Sequence, residues 1–166
     1  KRLSGFGVEV IFHDILPNLS DEFATQVSLA ELQKRADILS LHIPLTDETN
    51  YLIDESFISK MAKNFYFINT ARGKNLKTKA LVEAIENGKI LGACLDVLEF
   101  EKASFENLEI ENQDLTYLLD SEKVIVTPHI AGYSLEGKAR GTQMIYDAFC
   151  KTFDYPAHKK FETQLP

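Results

Sequence analysis

Short apolar runs rich in β-branched and aromatic residues alternate along the chain with longer windows in which apolar residues recur at helical spacing. This alternation predicts βα units arranged around a parallel sheet. The predicted strands are residues 8–13, 38–43, 65–68, 91–97 and 124–127, each short and nearly all apolar, as strands covered on both faces are. Capping chemistry marks the helices between them. Ser28-Leu29-Ala30-Glu31 is a capping box whose helix stops before Asp37. Asp54 is placed to cap a helix carrying Phe57, Ile58 and Met61 on one side. Thr78 is placed to cap another, with Leu81, Ala84 and Ile85 facing inward and Gly88 as its C′ residue. A last helix runs from near Ser134 to about Phe153, with Ala139, Ile145, Ala148 and Phe149 as its buried stripe. Residues 106–120 mix Glu106, Glu109, Glu111 and Asp114 with Leu115, Tyr117, Leu118 and Leu119, the pattern of a short surface helix. Beyond Asp154 the chain, with Pro156 and Pro166, reads as irregular.

Residues 1–7 read as the last turn of a helix running directly into a strand. A doubly wound sheet places its first strand at the centre. The expected fold is therefore α/β, a Rossmann-type doubly wound parallel sheet that is incomplete, its first strand and glycine turn absent from this chain. At 166 residues and 45% hydrophobic composition, the sequence has the core-forming material of one globular domain and too little charge bias for disorder. A net charge of −7 argues against electrostatic nucleic-acid binding. No stretch approaches the roughly 18 apolar residues of a membrane span, and Lys1-Arg2-Leu3-Ser4-Gly5 is not the start of a signal peptide. Cys94 and Cys150 stand far apart without metal-ligand spacing, so neither a disulfide framework nor a metal site is expected. Together these features describe a reduced, cytoplasmic protein.

Ligands of open α/β sheets bind beyond the carboxyl ends of the strands, so the residues after each predicted strand carry the chemistry. Asp14 alone is a turn aspartate; at the end of a second strand it is also placed to accept hydrogen bonds from ribose hydroxyls of a dinucleotide. Ile15-Leu16-Pro17-Asn18 contains no cation for a 2′-phosphate, which favours NAD over NADP. Arg72 is either a surface salt-bridge residue or, directly after an apolar strand, a planar fork for gripping a carboxylate in two places. His129 is either a satisfied histidine at a loop start or, with Glu101 on one ring nitrogen, a general acid. Glu99 reads as a solvated neighbour, His42 as structural and His158 as a tail residue; His13 has no partner argument.

Three segments carry a family resemblance: Asp37-Ile38-Leu39-Ser40-Leu41-His42-Ile43-Pro44-Leu45-Thr46 with Thr49; Asn69-Thr70-Ala71-Arg72-Gly73; and Leu95-Asp96-Val97 with Glu99 and Glu101. With Pro128-His129-Ile130-Ala131-Gly132 they resemble the D-isomer-specific 2-hydroxyacid dehydrogenases from Lys1 to about Phe153. The resemblance implies an NAD-dependent oxidoreductase acting on a small 2-hydroxy or 2-oxo acid, working as a homodimer. It assigns substrate-carboxylate binding to Arg72 and proton transfer to His129 paired with Glu101. It places Asp14 at the ribose, Ile43, Pro44 and Thr49 on the adenosine side, and Thr70, Ala71, Arg72, Asp96, His129 and Gly132 around the nicotinamide half. Residues 1–153 are then the NAD-binding domain, partial because it lacks its GxGxxG start, and residues 154–166 a tail leading toward the missing substrate domain. Lys102 departs from the proline usual after the glutamate. Residues 128–142 are similar to erythronate-4-phosphate dehydrogenases, and the rest of the chain resembles D-3-phosphoglycerate dehydrogenases about as well. This implies a phosphorylated substrate, 4-phosphoerythronate or D-3-phosphoglycerate, with Tyr133 touching it and Lys138 or Arg140 either near its phosphate or plain helix-surface cations. An NAD(H)-sensing protein like the co-repressors of the same fold, and a fragment inactive in isolation, are the alternatives.

Overall fold

The computed structural model describes residues 1–99 and 112–161 and divides the chain into two compact units, Lys1–Val126 and Thr127–Pro166. The first unit runs β1 (Ile11–Phe12), β2 (Thr25–Gln26), α1 (Leu29–Arg35), β3 (Ile38–Leu41), α2 (Glu55–Lys60), β4 (Phe65–Asn69), α3 (Thr78–Glu86), β5 (Ile90–Leu95), α4 (Gln113–Asp120) and β6 (Val124–Val126). The second unit holds α5 (Leu135–Phe153). Strands β3, β4, β5 and β6 lie side by side in that order, all parallel, while β1 and β2 form a separate parallel pair. This is a Rossmann-like α/β architecture. All five predicted strands are present, several of them shorter; β2 was not foreseen, because two residues carry no readable period. Residues 1–7 contain one 3-10 turn, Ser4–Phe6, closed by Gly7 at φ 66°, a left-handed conformation that glycine adopts without steric cost.

Local signals place most helix starts correctly. The Ser28 hydroxyl accepts from the Glu31 N–H at 3.2 Å, and the Asp54 carboxylate from the Phe57 N–H at 2.8 Å. Helix α3 differs from expectation. Its N-cap is Lys77, Thr78 is its first residue, and the Thr78 N–H is taken by Glu99 Oε2 at 2.8 Å. Glu99 is thus the acid at the start of α3 rather than a solvated neighbour. Gly88, at φ 77°, closes the same helix at C′ as its sequence predicted.

Phe65, Phe67, Leu81, Ile85, Ile90 and Leu95 are fully buried, with Ile53 and Met61 beside them in one continuous core. Each such side chain contributes about 1.5–3 kcal/mol through its removal from water. The second face of the sheet departs from the expected double coverage. Ile38, Tyr66 and Ile125 are 60%, 52% and 63% exposed, because the apolar run fixes what could be buried and not what is available to bury it. Helix α4 is not the surface helix expected for its segment: Leu115 and Leu118 join the core and the helix packs on α3 and β6. Glu106, Glu109 and Glu111 lie outside the described residues.

Helix α5 spans nearly the range read from the sequence, and the Ser134 hydroxyl caps it by accepting from the Gly137 N–H at 2.9 Å. Its stripe is a correction. Ile145 is 75% exposed, Ala148 and Phe149 are exposed and Ala139 is half-buried; only Cys150 among the helix residues is buried. Phe149 instead packs on Phe153 and stacks on Tyr155. The irregular tail folds back along α5, where Gln143 bonds the Phe161 N–H and the Lys159 carbonyl, and the Tyr146 hydroxyl accepts from the His158 N–H. No described helix is long and apolar enough to cross a membrane.

Candidate active site

Because β3, β4 and β5 are parallel, the segments that follow them leave from one edge of the sheet. The segment after β4 is built around Asn69, which is fully buried. Its Oδ1 accepts from the Ala71 N–H at 3.0 Å and its Nδ2 donates to the Arg72 carbonyl at 3.1 Å. One amide therefore closes the turn on both sides of Arg72. Thr70 and Arg72 are exposed and Ala71 is buried; Arg72 Nη1 donates to the Ala71 carbonyl at 2.6 Å. Gly73 then passes against the segment after β5. A Cβ added there would lie 1.9 Å from the Leu98 carbonyl oxygen, so only glycine lets the two backbones meet.

The segment after β3 is laced by hydroxyls. Thr49 Oγ1 donates to the Pro44 carbonyl at 2.7 Å and accepts from the Thr46 N–H at 2.8 Å. Ile43 is half-buried and Pro44 exposed. The amide of Asn75, fully buried, donates to the Pro44 carbonyl at 3.3 Å and to the Thr49 carbonyl at 3.1 Å. After β5, Asp96 is 4% exposed and its N–H donates to the Asn69 carbonyl at 2.9 Å. Glu99, besides meeting α3, accepts from the Tyr51 hydroxyl. That hydrogen bond, then burial and the carboxylate charge, push the Tyr51 pKa up. After β1, Asp14 Oδ1 accepts from the Leu16 N–H at 2.8 Å, an Asx turn that leaves the carboxylate on the surface. His13 Nδ1 lies 3.1 Å from the Val27 carbonyl, and exposed His42 pairs with Ser40 at 2.9 Å.

In the second unit His129 is exposed and holds a left-handed backbone, φ 54°, with its N–H on the Thr127 carbonyl at 3.0 Å. Such a conformation in a non-glycine residue costs on the order of 1–3 kcal/mol and clusters at functional sites. Gly132 is exposed, and the Tyr133 ring lies under Lys138 Nζ at 3.7 Å from its centroid. Arg140 is exposed on α5. Glu101 lies outside the described residues. The residues that sequence reasoning missed are Asn69, Asn75 and Glu99. The first two lie three residues either side of Arg72 and act through bonds to backbone, which leave no signal in the residue pattern, and Glu99 binds a helix 21 residues away.

Parallel strands with crossover helices, and polar residues gathered after the strands, define a dinucleotide-binding α/β domain. Residues 1–131 match the model of the D-isomer specific 2-hydroxyacid dehydrogenase NAD-binding domain. The chain belongs to this family. It is 44% identical over 172 aligned positions to erythronate-4-phosphate dehydrogenase of Acinetobacter baylyi, covering 100% of this chain and 44% of that protein. The corresponding enzyme of Proteus mirabilis is 39% identical over 172 positions, covering 100% and 42%. Among solved structures, the NAD-complexed D-isomer specific 2-hydroxyacid dehydrogenase of Lactobacillus delbrueckii ssp. bulgaricus superposes with a TM-score of 0.76 at 32% identity, over 95% of this chain and 50% of that one. The D-lactate dehydrogenase of Treponema pallidum gives 0.71 at 34% identity, over 92% and 48%. The chain thus spans about half the length of the curated relatives it matches.

The donor set fits NAD. A surface carboxylate follows β1 for a ribose diol, an apolar rim of Ile43 and Pro44 follows β3 for a flat base, and residues 15–18 supply no cation for a 2′-phosphate.

Proposed function

We propose that the intact protein interconverts a D-2-hydroxy acid and its 2-oxo acid with NAD as the redox partner, and that the acid is phosphorylated, as in D-3-phosphoglycerate or 4-phosphoerythronate. The observation that carries this reading is the match of residues 1–131 to the family's NAD-binding domain, and the exposure of Arg72 on the Asn69-closed turn after β4 supports it. Residues 1–153 form the NAD-binding domain and residues 154–166 the tail toward a substrate domain. Asp14 holds the adenosine ribose; Ile43, Pro44 and Thr49 flank the adenosine; Thr70, Ala71, Asp96 and Gly132 surround the nicotinamide half.

Bound NADH supplies a hydride to C2 of the oxo acid. Arg72 grips the substrate carboxylate with its planar fork and draws charge from the C2 carbonyl, which a point charge does less well. His129 gives the proton to the C2 oxygen during reduction and takes it back during oxidation. Glu101 holds the imidazole oriented and charged for reduction. Tyr133 touches the substrate, and Lys138 or Arg140 lies near its phosphate. The acid is the small-molecule partner and a second copy of the chain the macromolecular one, in the cytoplasm; the net charge of −7 disfavours nucleic acid.

The test is NADH oxidation by the intact protein with 3-phosphohydroxypyruvate, the 2-oxo acid derived from 4-phosphoerythronate, and unphosphorylated 2-oxo acids. Turnover that prefers one phosphorylated substrate is the expected result. NADH binding with no turnover of any of them would make the protein a dinucleotide sensor instead.

A further inference from the structure

Asn75 is an expensive residue for its place. It is fully buried, and its Oδ1 is the one buried side-chain oxygen or nitrogen among the described residues without a hydrogen-bond partner. A buried amide oxygen left unpaired works against folding, so the two bonds made by the same amide are offset by it. Turning the amide over does not help, because it would aim the oxygen at two carbonyls. An apolar side chain of similar size would remove the unpaired oxygen but would also take one donor from each of the Pro44 and Thr49 carbonyls, which would keep only the Thr49 hydroxyl and the Leu52 N–H. What only the amide supplies is geometry. Its two protons reach the Pro44 and Thr49 carbonyls across 31 and 26 residues of sequence, while its own backbone N–H bonds the Arg72 carbonyl at 3.1 Å.

The neighbouring stretch is already stitched by backbone. The Tyr51 N–H donates to the Lys74 carbonyl, the Ile53 N–H to the Asn75 carbonyl and the Lys77 N–H to the Ile53 carbonyl. These bonds hold residues 51–53, which touch Thr49 only through the long Leu52 N–H to Thr49 carbonyl bond of 3.3 Å; the Asn75 side chain adds the direct link from the Arg72 turn to both Thr49 and Pro44.

We propose that Asn75 is a positioning residue that clamps the loop after β3 to the Arg72 turn after β4, so that occupancy of the cofactor loop and grip on the substrate carboxylate strengthen each other. This rests on the assignment of Pro44 and Thr49 to the cofactor and Arg72 to the substrate. An element shared by two sites couples them when each ligand favours the same arrangement of it, and the coupling is reciprocal.

Two measurements separate the clamp from the functional assignment. Hydrogen exchange needs no ligand: in Asn75→Leu, the amides of Thr46, Thr49 and Asn50 are expected to exchange about ten-fold faster, a loss expected when local opening becomes easier. The amides of β4 and β5 are expected to keep their native rates. Unchanged loop amides would overturn the clamp, whatever the protein binds. The second measurement is NADH affinity of the intact protein with and without saturating oxalate, a planar carboxylate that is not reduced. The native protein is expected to bind NADH at least about five-fold more tightly with oxalate, and Asn75→Leu equally with and without it. Asn75→Ser, which keeps one donor, is expected between them and serves if the leucine variant does not fold. A coupling ratio in either variant equal to the native one, or a native ratio of one, would overturn the inference. Faster loop exchange in Asn75→Leu, together with a native protein that binds no NADH, would instead overturn the functional assignment on which the coupling depends.

Discussion

Replacing Gly73 by alanine puts one methyl group where the Leu98 backbone already lies. The new carbon would sit 1.9 Å from the Leu98 oxygen, 2.2 Å from its carbonyl carbon and 2.7 Å from the Glu99 nitrogen. Carbon and oxygen approach to about 3.3 Å at closest, so one backbone must retreat by roughly 1.4 Å. Neither has room: Asp96, Val97 and Leu98 are all buried on one side and Asn75 and Leu76 on the other. Overpacking ordinarily costs about 1–3 kcal/mol, and a collision with backbone belongs at the upper end. At about 3 kcal/mol the melting temperature of a chain this size falls by roughly 6–12 °C. Gly141 is the internal control. In α5 a Cβ added there meets nothing within 4 Å, so Gly141→Ala is expected to gain up to about 1 kcal/mol from helix propensity. Urea unfolding of the two variants beside the native protein reads both effects. A Gly73→Ala variant within about 0.5 kcal/mol of native, the scatter of ordinary surface substitutions, would refute the close approach as the reason for glycine.

Three further outcomes follow from particular contacts. Ser134→Ala removes the cap of α5 and is expected to cost about 1 kcal/mol; Ser134→Asp, also a good cap, should restore most of it in the same unfolding assay. The raised Tyr51 pKa stabilises the fold fully below about pH 10, the unfolded value, and that contribution is lost as pH rises through the higher folded value. The stability difference between native protein and Tyr51→Phe should therefore shrink in alkaline solution, and a difference that is flat across that range would contradict the Glu99 bond as its source. In the intact protein Arg72→Lys is expected to raise the KM for the oxo acid and lower kcat, leaving the KM for NADH within a few-fold; unchanged substrate kinetics would remove Arg72 from the proposed carboxylate site.

The elements that were legible in the sequence are those fixed by neighbours in the chain. Ser28, Asp54 and Ser134 cap helices three residues ahead of them, and Gly88 closes one, so their chemistry is visible in a short window. Thr78 misled because the acid at the start of α3 is Glu99, brought in by the fold. The stripe on α5 was read correctly as apolar and wrongly as buried, since periodicity identifies a face and not what covers it. Helix α4 was misread in the opposite sense, since Leu115 and Leu118 are tucked into the core. At the candidate site the charged residues announced themselves by type. Asn69 and Asn75, which shape the turn around Arg72, act through bonds to backbone that no residue pattern encodes.

The most direct test is the split between chemistry and cofactor binding at His129. In the intact protein His129→Ala is expected to slow NADH-dependent reduction of the preferred 2-oxo acid by about 10²–10⁴-fold, while fluorescence titration shows NADH affinity within a few-fold of native. Equal turnover in the variant would show that another group delivers the proton.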